Sequence, residues 1–149
     1  MNDKDLEILR WLQKDASLSM DDLAERVALS KTAVWRRVRK LEEDQVIRQR
    51  TALVDQKAVG FGVTVFAIIR TNQHSDAWYG QFSEAVLSIP EIVDVYRASG
   101  DIDYIMRIVA RDMDHYDRVY RQLIRKCDFS DVSSTFVMET IKQSSVLPI

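Results

Sequence analysis

The first fifty residues place apolar side chains at the spacing of helix faces. Three groups recur in this way: Leu6, Leu9 and Leu12; Leu23, Ala24 and Val27; and Val34, Val38 and Leu41. Ser19 precedes the second group and Ser30 the third, and serine is a favoured helix N-cap. We therefore predict three helices, the last two joined by a turn at 28–30, and a short strand at 46–50 beside them as a wing.

The pattern changes after Gly62 to β-branched runs separated by two amphipathic segments. It predicts strands over 63–71, 92–98, 103–110 and 132–141, with helices over 75–89 and 113–126. This βαββαβ order is that of a ferredoxin-like domain. The fold class is therefore α+β, with an N-terminal winged helix-turn-helix domain at 1–50, a linker at 51–62 and a second domain at 63–149.

The first strand of the second domain carries apolar residues on both faces. Val65, Ala67 and Ile69 alternate with Phe66 and Ile68. Two helices cover only one face of a four-stranded sheet, so the other face needs a partner or stays exposed. We predict a homodimer in which two sheets pack face to face.

Charge is concentrated in one predicted element, although the chain as a whole has a net charge of −2. Residues 30–40 contain five Lys or Arg and no acid, and they coincide with the third helix. In a helix-turn-helix this helix enters the major groove of DNA, and cations there neutralise phosphates. A solvated charged face is the alternative interpretation, and the position in the motif favours contact with double-stranded DNA.

Rotation by 100° per residue assigns roles to the side chains of the third helix. Thr32, Arg36 and Arg39 are candidates for base contacts. The candidates for phosphate contacts are Ser30, Lys31, Arg37 and Lys40. Ala33 and Trp35 lie on the flanks, and both belong to the predicted interface. Trp35 either lies against the DNA backbone or packs beside Trp11, and we favour packing.

Several classes of function are not supported by the residues. No nucleophile elbow, phosphate loop or dinucleotide fingerprint is present, so we predict no enzymatic activity and no cofactor. His74, His115 and Cys127 lack the spacing of metal ligands. The longest apolar run, at 65–69, is too short for a membrane span, and the acidic start differs from a secretion signal. We expect a cytoplasmic protein.

Both halves of the chain resemble the Lrp/AsnC, or feast/famine, family of transcriptional regulators. The resemblance is carried by residues 5–9, 23–30, 36–47, 59–61, 100–104, 132–137 and 141–149. Within it, 100–104 matches the family's Gly-x-x-Asp-Tyr turn. It implies a RAM-type second domain, dimers that assemble to octamers, and an amino-acid effector bound between dimers. Residues 31–35 depart from the proline and cysteine that many members have, so the operator cannot be transferred from relatives.

The resemblance also implies where the effector binds. The candidate residues surround the turn and reach the last strand: Ala98, Ser99, Gly100, Asp101, Ile102, Asp103, Tyr104, Thr135 and Phe136. Residues Thr71, His74, Ser75, Trp78, Tyr79, Arg97 and 103–107 are similar to a subgroup that responds to cysteine. The expected function is sequence-specific regulation of amino-acid metabolism. The alternative is an architectural nucleoid protein that bends DNA without an effector.

Overall fold

A computed structural model describes all 149 residues of the chain. They form two compact units, one of residues 1–53 together with 142–149 and the other of residues 54–141. Both ends of the predicted second domain therefore change, because residues 54–62 join it and the last eight residues belong with the N-terminal unit. Gln13 holds this segment in place: its amide donates to the carbonyl of Leu147 and accepts from the N–H of the same residue.

The N-terminal unit consists of three helices. They are α1 (Asp3–Lys14), α2 (Met20–Arg26) and α3 (Lys31–Glu43). Asn2, Ser19 and Ser30 cap them, each with a side-chain oxygen that accepts a backbone N–H of the first turn. Ala28, in the left-handed region at φ 51°, reverses the chain between α2 and α3. The predicted helices and serine caps are confirmed.

One apolar cluster holds the three helices together. Its completely buried members are Ile8, Leu23, Val27 and Val34. Val38 and Leu41 continue the same stripe of α3, as the periodicity predicts. The predicted strand at 46–50 is wrong, because these residues form turns and irregular backbone without a ladder partner.

The second unit is a four-stranded antiparallel sheet with two helices. Its elements are β1 (Val63–Arg70), α4 (Asp76–Leu87), β2 (Ile92–Arg97), β3 (Tyr104–Ala110), α5 (Met113–Lys126) and β4 (Asp131–Phe136). The strand order is β2-β3-β1-β4, which is the predicted ferredoxin-like arrangement. The last strand is shorter than predicted. β4 lies at the sheet edge, and its register continued would set Met138 opposite Val63, where β1 begins, so residues beyond Met138 have no partner on β1.

The two helices bury one face of the sheet. Trp78 and Phe82 of α4 stack with ring centroids 5.2 Å apart, and Phe82 lies 4.5 Å from the ring of Tyr104. From α5, Tyr116 meets Phe136 edge to face at 5.2 Å. These large rings pack with aliphatic side chains such as Ile69, Met106 and Leu123 in one core, and their burial stabilises the domain.

The opposite face of the sheet has no covering helix. Phe66 and Ile68 of β1 point to it, and the register places Ile105 opposite Ile68 and Tyr96 opposite Ile105. Phe66 is 36% exposed and Tyr96 is 60% exposed. The apolar second face predicted from the sequence is therefore present.

The segment predicted as a linker is ordered over much of its length. Residues 56–60 form consecutive turns. The Gln56 amide donates to the carbonyl of Phe61 and the hydroxyl of Thr64, which joins the segment to β1. The first unit ends at Leu53 and the second begins at Val54, so most of the predicted linker belongs to the second unit.

Candidate DNA interface and effector turn

Helix α3 separates its buried and exposed residues as a recognition helix requires. Val34, Val38 and Leu41 are at most 5% exposed. The opposite side presents Thr32, Arg36, Arg39 and Lys40 to solvent, and Lys31 lies exposed in the first turn. Five predicted contact residues thus share an accessible surface. Ala33 is half-buried, and the Ser30 hydroxyl accepts the N–H of Ala33 as the N-cap.

Most cations of α3 are paired with acids. Lys31 lies 2.7 Å from Asp21, and Arg39 and Lys40 pair with residues one turn later, Glu43 at 2.9 Å and Asp44 at 3.1 Å. These pairs are exposed and exchange easily for phosphate, since such pairs stabilise by less than about 1 kcal/mol.

Arg36 differs from the other cations of α3. It is exposed and makes no ion pair or side-chain hydrogen bond within the chain. Its guanidinium carries five N–H donors in a fork that matches the acceptor edge of guanine. Arg36 can therefore donate hydrogen bonds to DNA without first breaking a contact within the chain, unlike the other cations of α3.

Arg37 is held inside the N-terminal unit. Its guanidinium donates to the carboxylate of Asp5 at 2.7 Å and to the side chain of Asn2 at 3.2 Å. Burial alone would raise the pKa of Asp5, but hydrogen bonds from Asn2 and Arg37 and the Arg37 charge outweigh it and lower the pKa. Arg37 therefore joins α3 to α1, and we do not retain it as a phosphate contact.

Trp35 lies outside the core. Its side chain is 50% exposed, and the guanidinium of Arg39 sits 5.3 Å from its ring centre. The favoured packing beside Trp11 is therefore wrong. Trp11 instead has Arg26 at 4.5 Å and Lys14 at 5.0 Å over its ring. Trp35 remains available as a flat surface beside the cations of α3.

The candidate effector residues 98–103 form a tight, well-anchored turn. The N–H of Ala98 donates to the carbonyl of Asp103 at 2.8 Å, and Gly100 adopts φ 111°, where a side chain is strained. One carboxylate oxygen of Asp103 accepts the N–H of Thr71 at 2.8 Å. Ser99 and Asp101 are exposed and Ile102 is half-buried, so the rim of the turn faces solvent.

Arg70 fixes this turn from the end of β1. Its Nε donates to the carbonyl oxygen of Asp101 at 3.0 Å. Its Nη1 forms an ion pair with the carboxylate of Asp131 at 2.7 Å. Arg70, Thr71 and Asp131 were not among the predicted site residues. The register could not be read from sequence alone, and it is the register that aligns Arg70 with Asp131.

The structure does not bring all predicted effector residues together. Tyr104 is 6% exposed and packs with Phe82 in the core, and Phe136 packs on Tyr116, so neither ring faces the turn. Thr135 is exposed on the other sheet face, opposite Phe66 in the register. Phe66 lies four residues from Arg70, about 13 Å along the strand. Within one chain, Thr135 and Phe136 are therefore distant from the turn.

The remaining candidate side chains, Cys127 and His115, are engaged in contacts within the fold. Cys127 is 2% exposed, and burial followed by the nearby Asp128 charge raises the pKa of its thiol, which disfavours the reactive thiolate. His115 Nε2 lies 3.1 Å from Glu91, and its Nδ1 accepts the N–H of Arg111. No three His, Cys, Asp or Glu side chains are grouped as metal ligands. No helix is both long and apolar enough to cross a bilayer.

Comparison with known proteins matches each unit to a described domain. The sequence model of the Lrp/AsnC ligand binding domain matches residues 64–147, and that of a winged helix-turn-helix DNA-binding domain matches residues 1–48. The chain belongs to the Lrp/AsnC family. The fold expected from the resemblance is thereby confirmed.

Whole-chain relatives of this Lrp/AsnC protein are transcriptional regulators. It is 42% identical over 149 residues to the glutamate uptake regulatory protein of Zymomonas mobilis, covering all of this chain and 91% of that protein. It is 41% identical over 146 residues to the DNA-binding transcriptional activator DecR of Escherichia coli, covering 97% and 96% of the two chains. Both relatives carry the names of regulatory proteins.

Solved structures agree over nearly the whole length. An AsnC family regulator from Agrobacterium tumefaciens is 50% identical with a TM-score of 0.95, covering 99% of this chain and 97% of that one. A Neisseria meningitidis transcriptional regulator, solved as a complex with L-methionine, is 30% identical with a TM-score of 0.92, covering 99% and 96%. The chain is thus a DNA-binding transcriptional regulator that carries an Lrp/AsnC ligand binding domain.

Proposed function

We propose that this regulator reads its operator through the exposed face of α3, with Arg36 as the principal base contact. The observation that carries the proposal is the free guanidinium of Arg36, among neighbouring cations that are already paired. Thr32 and Arg39 lie on the same face and are the further base candidates, while Lys31 and Lys40 exchange their acids for phosphates.

The proposed effector site is the turn at 98–103. A free amino acid offers an ammonium and a carboxylate. The exposed carboxylate of Asp101 and that of Asp103 are suited to the ammonium, and backbone N–H groups of a turn containing Gly100 are suited to the carboxylate. Thr135 would join the site only from a second protomer, since it lies far along the sheet within one chain.

We propose cysteine as the first effector to test. The support is the similarity of Thr71, Trp78, Arg97 and residues 103–107 to the cysteine-responsive subgroup. Relatives named for glutamate uptake and for leucine response show that other amino acids need testing beside it. Cysteine would then act as a non-covalent ligand. The thiol of Cys127 is buried, so it is poorly placed to form a mixed disulfide with a free cysteine.

A thermal-shift screen of the full-length protein against the twenty amino acids tests the effector proposal. One amino acid should raise the melting temperature, since a ligand that binds only the folded state stabilises it. Asp103→Asn keeps an oxygen for the Thr71 N–H but removes the charge, so it should lose this shift while its unliganded stability stays near wild type. Glu139→Gln is the matched control, an exposed acid outside the turn.

The outcomes of the screen separate two functions. A single stabilising amino acid that also changes DNA affinity supports an effector-controlled regulator. No shift with any amino acid, together with unchanged operator binding, would favour the architectural nucleoid protein. Full binding by Asp103→Asn would remove Asp103 from the site.

The second part of the proposal concerns assembly and location. The uncovered sheet face around Phe66, Ile68 and Tyr96 is the proposed dimer interface, and further assembly of dimers to octamers follows the family pattern. We infer that the protein acts in the cytoplasm, without catalysis, on operators of amino-acid metabolism.

A further inference from the structure

A second basic surface lies on α5, in the ligand-binding domain. Residues 118–126 contain Arg118, Arg121, Arg125 and Lys126 and no acid. All four are exposed, and together with Gln122 they border one open groove. Nothing in the turn at 98–103 or in the recognition helix accounts for this cluster.

The cations occupy the side of α5 that faces away from the core. Tyr116, Val119 and Leu123 are buried against the sheet. At 100° per residue, the three arginines fall within a sector of about 60° opposite these residues, and Lys126 lies on the flank of the helix. The helix therefore presents its positive charge outward as a continuous ridge, which we call the α5 ridge, defined by Arg118, Arg121, Gln122, Arg125 and Lys126.

The ridge is poorly neutralised by the chain itself. Arg121 pairs with Asp117 at 2.8 Å, whereas Arg118, Arg125 and Lys126 make no ion pair. Arginines at 118, 121 and 125 stand three and four positions apart, where like charges repel on a helix. The helix dipole favours the cations of the last turn, Arg125 and Lys126, but not those of the middle. The fold alone therefore gives no reason for the ridge.

The dimensions of the ridge fit an extended polyanion. Eight residue steps along a helix span about 12 Å. Phosphates of one DNA strand are spaced about 3.4 Å along the duplex axis, so the ridge matches about three of them. A single small anion would use only one or two of the four cations.

We propose that the α5 ridge is a second DNA-contacting surface, which binds the phosphate backbone of a long duplex without reading its sequence. The inference rests on DNA binding by the recognition helix, and it adds contact between the duplex and the ligand-binding domain. DNA is favoured over an acidic protein because the recognition helix already binds a duplex. The bound duplex then has a high effective concentration near the rest of the protein, which helps a second weak contact to form.

The test compares short and long duplexes that carry the same selected operator. The variant Arg118→Gln/Arg121→Gln/Arg125→Gln removes three charges, and glutamine retains good helix propensity. The matched control is Lys57→Gln/Arg111→Gln/Lys142→Gln, which removes three exposed cations outside the ridge and outside α3 that make no ion pair. Affinity is measured with full-length protein at several salt concentrations, and circular dichroism and oligomer size are recorded for every variant.

On the long duplex, the ridge variant should lose about 2 to 3 from the slope of log affinity against log salt. Between about 50 and 200 mM salt, the wild-type affinity should therefore fall about 40-fold more than that of the variant. The short duplex should bind both proteins equally, and the control should behave as wild type on both.

Two results would overturn the proposal. The first is an unchanged slope on the long duplex. The second is an equal loss on short and long duplexes, which would show that the substitutions act through folding or assembly. If wild type itself binds no selected duplex, the recognition-helix proposal fails instead, so the two failures are distinguishable.

Discussion

Removal of Arg36 tests the proposed interface at its unpaired cation. The side chain is solvent-accessible and unpaired, so Arg36→Ala breaks no contact within the protein and should leave its stability nearly unchanged. A bidentate contact from arginine to guanine contributes about 1–3 kcal/mol, which corresponds to about 5- to 150-fold in affinity per half-site. An operator with two-fold symmetry binds two protomers, so the total loss of binding free energy would be twice that of one half-site.

Arg36→Lys separates charge from geometry. Lysine keeps the positive charge but lacks the planar fork, so phosphate attraction persists while guanine recognition weakens. The lysine variant should therefore retain the wild-type salt slope and lose base preference at one position of each half-site. The alanine variant should lose the preference too.

The assay begins with selection of bound duplexes from a random pool, because the operator is unknown. Fluorescence anisotropy then gives the affinity of each variant for the selected duplex and for single-base changes in it. Arg111→Ala is the control, an exposed arginine of the other domain. Identical selected sequences and affinities for wild type and Arg36→Ala would refute the assignment of Arg36 to the interface.

Three further predictions concern stability and assembly. Asp5→Asn should destabilise the protein by about 1 kcal/mol near pH 7. The pKa of Asp5 is lowered in the folded protein, so this difference in stability should fade as the pH falls below 3.8, the ordinary pKa of the group. Equal denaturation midpoints of the two proteins at pH 7 would contradict this role of Asp5. Gly100→Ala should cost about 1–2 kcal/mol from its positive φ, whereas Gly80→Ala within α4 should stabilise by about 0.5–1 kcal/mol, and both follow from thermal unfolding. Ile68→Asp should dissociate the dimer in analytical ultracentrifugation with its circular dichroism retained, and an unchanged mass would place the interface elsewhere.

Local chemistry explains which features could be predicted from the sequence. The stripe of Val34, Val38 and Leu41 and the cap at Ser30 depend on residues a few positions apart, so α3 was predicted correctly. The limits of α5 were likewise predictable, since its apolar and charged faces alternate clearly.

Features that depend on distant partners were missed. Residues 46–50 and 138–141 have strand-like stretches, but a strand forms only where a ladder partner exists. The surroundings of Trp35 and Arg37 also depend on distant residues. Arg37 pairs with Asp5 on α1, thirty-two positions away, and Trp35 stays 50% exposed.

In the candidate effector site, too, features set by nearby residues could be predicted and features set by distant residues could not. Gly100 and Asp103 could be identified from a local motif, and the structure gives them a tight turn with a positive φ. The anchoring of that turn by Arg70 depends on strand register, and the separation of Thr135 from it depends on which end of the sheet each occupies. Neither can be read from spacing along the chain.

The central claim is that an amino acid controls DNA binding by this protein. Its most direct test is the affinity of the full-length protein for its selected duplex, measured with and without each amino acid at saturation. We predict that one amino acid, with cysteine tested first, changes the affinity by about 5- to 150-fold, the usual range of coupling between sites. Equal affinity in the presence of all twenty would contradict the account.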